Sequence, residues 1–583
     1  MLLSSRAARW VVVRMSYYRM VSRLLDVILL AAILAFAYYA VFRAGERGFF
    51  PLDQSIVFDG SYRVLSGQAP YRDFLIPIGP IVFWLQAIFF KIFGISYFSY
   101  ILGAAVVNVL ATACSIGLLR LLFPALRFVS YVAGILTAVW FYPPFGTPWP
   151  DQTAFFFSFF ALVLLLLGSR HPGGRSIASE LLVFCSGSFA GISFLSKQNV
   201  GTYLLPLFFA LLLAANVPDI KRVVLRWAVF VAGLATAIAV FVVLLLSYAD
   251  AKVFFQYFVS MPSALGIGRL FTGRLSAFES FVLPGSAMTN SWIAMTPLAL
   301  AMFSVAVAVL LLLAINFRQV GDAWRKEFLA AILCSYGALF PYPFIITTVN
   351  SPENSLQFTG IVIGAGMGLT IHLFRTVSSV VRPQGVQLAT PRRATVYALL
   401  VMGLLFSAAY TFALGVKVSL TREVHHVFQE ASFPKLLGVE RLEDLRWGQP
   451  TRMRRADIRG DSAVSIDEAD LVGLYAYLKV EKKNFFIFPD FTILYAVLSV
   501  PSPQPVLWFH RGLTYPASYD SGLDERIVES LNRNNVEIVV VEEKSWYGTY
   551  NRLEDFPLLK SYIGESFGKV GEIGIFNLYK RKQ

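Results

Sequence analysis

Three short polar stretches in an otherwise apolar chain carry the residue types that could do chemistry. The first, PLDQSIVFDGSYRVLSGQAPYRDFLIPIGP, holds Asp53, Asp59 and Asp73 among Tyr62, Arg63, Tyr71 and Arg72. The second, PPFGTPWPDQTAFFF, sets Asp151 directly after Pro150, and the third, FLSKQNVG, sets Lys197 and Gln198 between apolar runs. Carboxylates and cations gathered at a membrane surface suit transfer of a group from a lipid phosphate. A carboxylate takes the proton of an attacking hydroxyl. Cations and hydrogen-bond donors stabilise the departing phosphate as its charge grows. Asp53 fits the base, Lys197 the phosphate contact, with Arg72 and Gln198 as helpers.

Each of these residues also has a plainer reading. Asp53 suits the N-cap of a helix running to Val64, although a cap can also be a base. Asp59 stands one helical turn before Arg63 and reads as its structural partner. Asp73, next to Arg72 and Tyr71 in a turn-like stretch, stays open. Asp151 after Pro150 suits the N-cap of the following helix. Lys197 could snorkel from a span end, but on an outer end it runs against the usual charge bias. Pro77-Ile78-Gly79-Pro80 reads as a chain turn.

The elements that must position these residues are membrane helices. Of 583 residues 56% are hydrophobic and 15% charged, with 52 Phe and 26 Tyr, a composition for which the bulk solvent is lipid. Arg6, Arg9, Arg14, Arg19 and Arg23 precede a first span near 24–42, and further spans read at 98–119, 128–145, 153–168, 180–196, 200–216, 227–248, 292–315, 328–347, 358–374 and 395–417. The segment 78–93 is apolar but short for a bilayer core of ~30 Å, and reads as a helix along the interface. With that reading every basic short loop falls on one side: Arg120 and Arg127, then Arg170 and Arg175, then Lys221, Arg222 and Arg226, then Arg318, Arg325 and Lys326, then Arg375, Arg382, Arg392 and Arg393. The positive-inside rule makes that side, and the N-terminus, cytoplasmic.

The expected fold class is an α-helical polytopic membrane protein of about eleven spans with a small α/β soluble domain at its C-terminal end. Residues 1–417 form the membrane module, with a first outside loop at 43–97. Residues 418–583 form an extracytoplasmic domain, of which 418–464 is a polar connector. In that domain apolar runs shrink to strand length at 484–489, 506–509 and 536–541, alternating with helical patterns at 465–479 and 523–534. The net charge of +14 belongs to the inside loops, which points to anionic membrane lipids rather than nucleic acid. Cys114, Cys185 and Cys334 lack paired spacing, so they offer neither a disulfide framework nor a zinc site, and His425-His426 reads as solvated. Two nearby carboxylates could hold a divalent cation. Asp53 and Asp151 are distant in sequence, so the metal requirement is unknown and no cofactor is assigned. A secondary transporter would show paired halves with broken helices at the midplane. Here the charged residues gather at one membrane face. A flippase should carry charges deep in its spans, where this chain has almost none; a transporter and a lipid-linked oligosaccharide flippase or polymerase are the alternative readings.

The motifs together resemble the GT-C superfamily of polyprenyl-phosphate-dependent glycosyltransferases, which includes protein O-mannosyltransferases and aminoarabinose transferases. The likeness runs to about residue 250. Asp53-Gln54 is similar to the family's Asp-Glu pair after the first span, with the second position changed. The run from Leu65-Ser66-Gly67 to Pro70-Tyr71-Arg72-Asp73-Phe74, the helix from Pro77 to Gly94, Asp151, and Gly191 to Lys197 follow in the family's order. Two positions depart: Ile56 stands where some relatives have arginine, and Leu75-Ile76 where some have lysine. The resemblance implies an inverting transfer with Asp53 as base, from a polyprenyl-phosphate sugar to a glycan, lipid or protein acceptor. It also implies the cytoplasmic (inner) membrane as the site of action, with a C-terminal domain outside that helps hold the acceptor. The topology has a direct check. Alkaline phosphatase fused after Gln583 should be active, and activity of a cytoplasmic reporter at the same point would invert the assignment.

Overall fold

Long apolar runs interrupted by Pro, Gly and charged turns give a bundle of helices, and among the described residues strands occur only in the last part of the chain. The computed structural model describes residues 2–45, 53–142, 146–169, 176–271, 307, 325–348, 355–380, 390–421, 468–489, 491–510, 512–515, 521–542 and 553–583. The expected span at 292–315, save residue 307, nearly all of the connector 418–464, and His425-His426 lie outside these residues, as does the side chain of Asp53. The helices are α1 (Leu2–Gly45), α2 (Asp53–Leu65), α3 (Ile81–Phe93), α4 (Tyr97–Leu122), α5 (Arg127–Trp140), α6 (Pro150–Gly168), α7 (Ile177–Ser196), α8 (Gln198–Asn216) and α9 (Ile220–Leu246). A composite helix α10 follows, made of Ala251–Phe254, a π-helical stretch Phe255–Ser260, and Met261–Phe271. Then come α11 (Arg325–Leu339), α12 (Pro341–Thr348), α13 (Thr359–Val380) and α14 (Thr390–Thr421).

Eight helical stretches among the described residues are long and apolar enough to cross a bilayer, and the chain is a multi-pass membrane protein. Two expected spans fall on shorter apolar stretches, Arg127–Trp140, which is all of the 14-residue α5, and Thr359–Arg375, which is the first part of the 22-residue α13. Helix α3 has 13 residues, about 20 Å of rise, which is too short to span. Polar side chains inside the bundle are spent on register. Asn108 of α4 donates to Ala37 O of α1 at 2.8 Å and to Ala138 O of α5 at 3.0 Å. The Ser158 and Ser193 hydroxyls meet at 2.8 Å between α6 and α7, and Ser193 also donates to Ala154 O at 2.8 Å. In an apolar surround such bonds fix which turn of one helix faces which turn of the next.

The C-terminal part is α15 (Glu468–Glu481), β1 (Phe485–Phe488), α16 (Ile493–Val497), α17 (Ser521–Arg533), β2 (Ile538–Glu542), α18 (Pro557–Ser566), β3 (Phe567–Ile573) and β4 (Phe576–Arg581). The sheet order is β1-β2-β4-β3, with β1 parallel to β2 and the other pairs antiparallel. A parallel pair needs a crossover, and α16 and α17 lie within it. The expected class, a helical membrane bundle with a small sheet near the C-terminus, is the one observed, with eight candidate spans among the described residues. One expected strand is not: Val506 only bridges Leu75 of the first loop. Pro501, Pro503 and Pro505 lack amide hydrogens, so this stretch cannot supply a ladder and runs as a strap instead.

That strap ties the C-terminal domain to α2 and the loop after it. The Leu75 amide donates to Pro505 O at 2.8 Å. Arg63, 1% exposed, donates through Nη2 to Ser502 O at 3.3 Å, Ser502 Oγ at 2.6 Å and Gln504 O at 2.5 Å. Its Nε lies 3.7 Å from Asp59, the partner expected one turn back, and its guanidinium stands 4.8 Å over the Phe74 ring. Burial lifts the Asp59 carboxyl from 3.8 to about 7, against the opposing pull of Arg63 and the nearby Thr492 hydroxyl. An acid whose folded pKa is raised stabilises the fold in full below its unfolded value and loses that contribution as pH climbs through the folded one. Wild-type stability should therefore fall relative to Asp59→Asn as pH rises from about 4 to about 7. Paired melting curves across that window check it, and parallel pH profiles would show that Asp59 does not titrate there.

Candidate active site

The site begins where α7 stops and α8 starts. Lys197 alone separates them, extended at φ −151° and ψ 113°, with its amide donating to Ser193 O at 3.0 Å. This one-residue break sends the side chain sideways to the head of α6, and Lys197 Nζ lies 3.6 Å from Asp151 Oδ1. Asp151 is fully buried and Lys197 is 19% exposed, so the ammonium is the member that meets the surroundings. Pro150 opens α6, a position that needs no amide hydrogen, and an acid in the first turn suits the positive end of the helix. The Ser158–Ser193 bond sets the register that lets the two residues meet. Among the described residues neither Asp151 oxygen, nor Oε1 of the buried Gln152, has a hydrogen-bond partner within 3.5 Å.

The turn at Pro77-Ile78-Gly79-Pro80 lies against this break. A Cβ on Gly79 would overlap Leu195 O, so only glycine lets the turn approach α7 this closely. Gln198 Nε2 donates to Pro77 O at 2.9 Å and to Phe258 O, in the π-helical stretch of α10, at 2.6 Å. Its amide group thus ties three segments together. Tyr71, at φ +65° and 1% exposed, donates to Ile78 O at 2.7 Å and meets Phe254 edge-on at 5.1 Å. Burial pushes its phenol well above the usual range, so it serves as a donor.

Arg72 and Asp73 form an exposed pair, Nη2 to Oδ2 at 2.7 Å, with Arg72 48% exposed. Asp73 also accepts from the Ala69 amide at 2.7 Å. Burial opposes its charge, but the Arg72 and Ala69 hydrogen bonds prevail and hold its carboxyl below the usual range. Among the described residues no hydrogen bond or ion pair joins Arg72, Asp73 or Asp59 to the Asp151–Lys197 pair.

Helix α2 starts at the same end of the bundle. Gln54 Nε2 donates to Thr147 Oγ1 at 3.0 Å, and Tyr100 OH to Gln54 O at 2.9 Å. Asp53, the first residue of α2, therefore has its backbone beside the chain that leads through Pro148 into Asp151. Segments far apart in sequence converge here. Gln152 and Thr147 carried a signal the sequence reading passed over, polar residues at the mouth of an apolar run. No group of three or more His, Cys, Asp or Glu that could hold a metal occurs among the described residues.

Comparisons with known proteins follow the same outline. The family model described as dolichyl-phosphate-mannose-protein mannosyltransferase matches residues 77–246. Among solved structures, ArnT from Cupriavidus metallidurans bound to undecaprenyl phosphate is similar at 15% identity and a TM-score of 0.50, covering 95% of this chain and 97% of that one. The chain shares the fold of that structure. The Archaeoglobus fulgidus oligosaccharyltransferase aligns at 14% identity and a TM-score of 0.47 over 96% of this chain and 74% of that one. A search of curated proteins found no match.

The ion pair can be tested without any substrate. Removing one partner of a buried pair strands the other and typically costs about 3–5 kcal/mol, whereas replacing both is far milder. Lys197→Met should lower the melting temperature, and adding Asp151→Asn should restore much of the loss. Additive losses in that double-mutant cycle would mean the two residues do not interact.

Proposed function

We propose that this protein is a glycosyltransferase that moves a sugar, with inversion, from a polyprenyl-phosphate donor to an acceptor hydroxyl on the outer side of the cytoplasmic membrane. The observation that carries this reading is the Lys197–Asp151 pair at the α7–α8 break, set at the end of the bundle where α2 brings in Asp53. The names attached to the comparisons support it: a matching model of dolichyl-phosphate-mannose-protein mannosyltransferases, and a fold like that of ArnT bound to undecaprenyl phosphate.

In this reading the acceptor oxygen attacks the anomeric carbon while its proton passes to the Asp53 carboxylate. The bond from that carbon to the phosphate oxygen breaks, and its electron pair leaves with the polyprenyl phosphate. The Lys197 ammonium faces that growing charge, and buried Asp151 holds the ammonium in place from behind. Gln198 supports the site through Pro77 and Phe258, and Arg72 reaches a phosphate only by parting from Asp73. A glycan, a lipid or a protein can supply the acceptor hydroxyl.

The test is transfer from a panel of radiolabelled polyprenyl-phosphate sugars to membrane extract by the purified protein. Asp53→Asn keeps a side chain able to cap α2 but cannot take a proton, and loss of a positioned base costs about 10²–10⁴-fold in rate. Asp250→Asn, at the exposed cap of α10, should transfer at the wild-type rate. Near-normal transfer by Asp53→Asn alongside a dead Asp151→Asn would move the base to Asp151. Absence of transfer from every donor would sink the reading as a whole.

A further inference from the structure

We propose that Arg63 is a positioning residue that uses the C-terminal domain to hold helix α2, and with it the backbone of Asp53, in register with the Lys197–Asp151 pair. This inference rests on the reading of Asp53 as the base.

Helix α2 is 13 residues long and is gripped at both ends by different parts of the molecule. At its start, Gln54 is bonded to Thr147, and Tyr100 OH to Gln54 O, so the membrane bundle holds that end. At its far end, Arg63 is bonded to Ser502 and Gln504 of the strap, and Gln68, just beyond the helix, donates to Ser502 O at 3.0 Å. Between the two grips the helix is wedged. A Cβ on Gly60 would stand 2.5 and 2.6 Å from two atoms of the Phe83 ring on α3, and 3.0 Å from Leu507 of the strap. The helix therefore cannot move toward either neighbour without a clash.

The chemistry of Arg63 suits a positional role better than simple adhesion. A fully buried guanidinium is costly unless it is paired and bonded. Here one nitrogen, Nη2, serves both strap residues, while Nε and Nη1 lack a hydrogen-bond partner and rely on Asp59 and the Phe74 face. The side chain is spent on direction, joining α2 to one point of the strap. The backbone positions of Arg63 and Asp53 are about 15 Å apart along the helix axis. Arg63 therefore touches no reacting atom, and its effect must travel through the helix as a rigid rod. A displacement of the base by 1 Å can cost about 10²-fold in rate.

The experiment uses the full-length protein in detergent or nanodiscs, with Arg63→Ala, the milder Arg63→Lys, and Ser502→Ala as a second route to the same contact. A lysine ammonium cannot reproduce the planar fork and should fall between alanine and wild type. Two readouts are taken: steady-state transfer, and hydrogen–deuterium exchange. Positioning predicts that kcat falls at least about ten-fold in Arg63→Ala while the donor KM stays within about two-fold, since binding at Lys197 is untouched. It also predicts faster exchange at residues 54–58, the end of α2 remote from the substitution, with exchange in α6–α8 unchanged. Faster exchange confined to 60–65 and 500–507, or an unchanged kcat, would overturn the proposal and leave Arg63 as a local contact. If the wild-type protein transfers no sugar, the glycosyltransferase reading fails, while exchange at 54–58 still decides whether Arg63 positions α2. If Arg63→Ala does not fold, Arg63→Lys and Ser502→Ala carry the same two readouts.

Discussion

A charge placed inside a membrane bundle must be answered by another charge, and the geometry around Lys197 follows from that constraint. Asp151 is fully buried, and an isolated carboxylate there would be far too costly to keep ionised. The ammonium 3.6 Å away makes it tolerable, but only if α7 breaks at residue 197 and α6 begins at Pro150. Much else serves that requirement: the serine contacts that set the α6–α7 register, the glycine that lets the 77–80 turn close on Leu195, and the amide of Gln198 that pins the turn.

The second organising contact lies outside the bundle proper. Residues of α2, α3 and α4 share one continuous buried cluster with the strands β1 and β2, so no solvent layer divides the loop region from the C-terminal sheet. Phe58 packs tilted against Phe90 and edge-on to Tyr100, while Arg63, with Asp59 beside it, bonds to the strap. The C-terminal domain is thus built onto the loop that carries Asp53 rather than hung from the last membrane helix.

Hydropathy made the bundle legible, because a run of about 20 apolar residues has few other uses. The pairing of Asp59 with Arg63 was legible too, since four residues along a helix is one turn. Their burial was not, because the groups that cover them come from the strap hundreds of positions later. Likewise the meeting of Asp151 with Lys197 depends on helix register, which the sequence expresses only as scattered serines. The hairpin β3–β4 escaped the sequence reading because its edge strand β3 is largely exposed to water and shows weak alternation, and the tight turn at Gly574, with φ +53°, is its clearest mark. The strap misled in the opposite direction. Val506–Phe509 has a strand's composition, but the alternating prolines before it cannot extend a ladder, and the stretch meets the first loop at a single bridge, Val506 to Leu75.

The separation between Arg63 and its partners has a consequence for how the protein is made. Ser502 lies 439 residues beyond Arg63 in the chain. At a synthesis rate of about 5–20 residues per second, α2 emerges roughly 20–90 s before the strap exists. During that interval a helix with a guanidinium, a carboxylate and apolar faces waits without its cover, exposed to proteases and to stray pairing. The strap is therefore a late-arriving closure on an early-emerging helix. A nascent chain that stops short of residue 502 lacks that closure altogether.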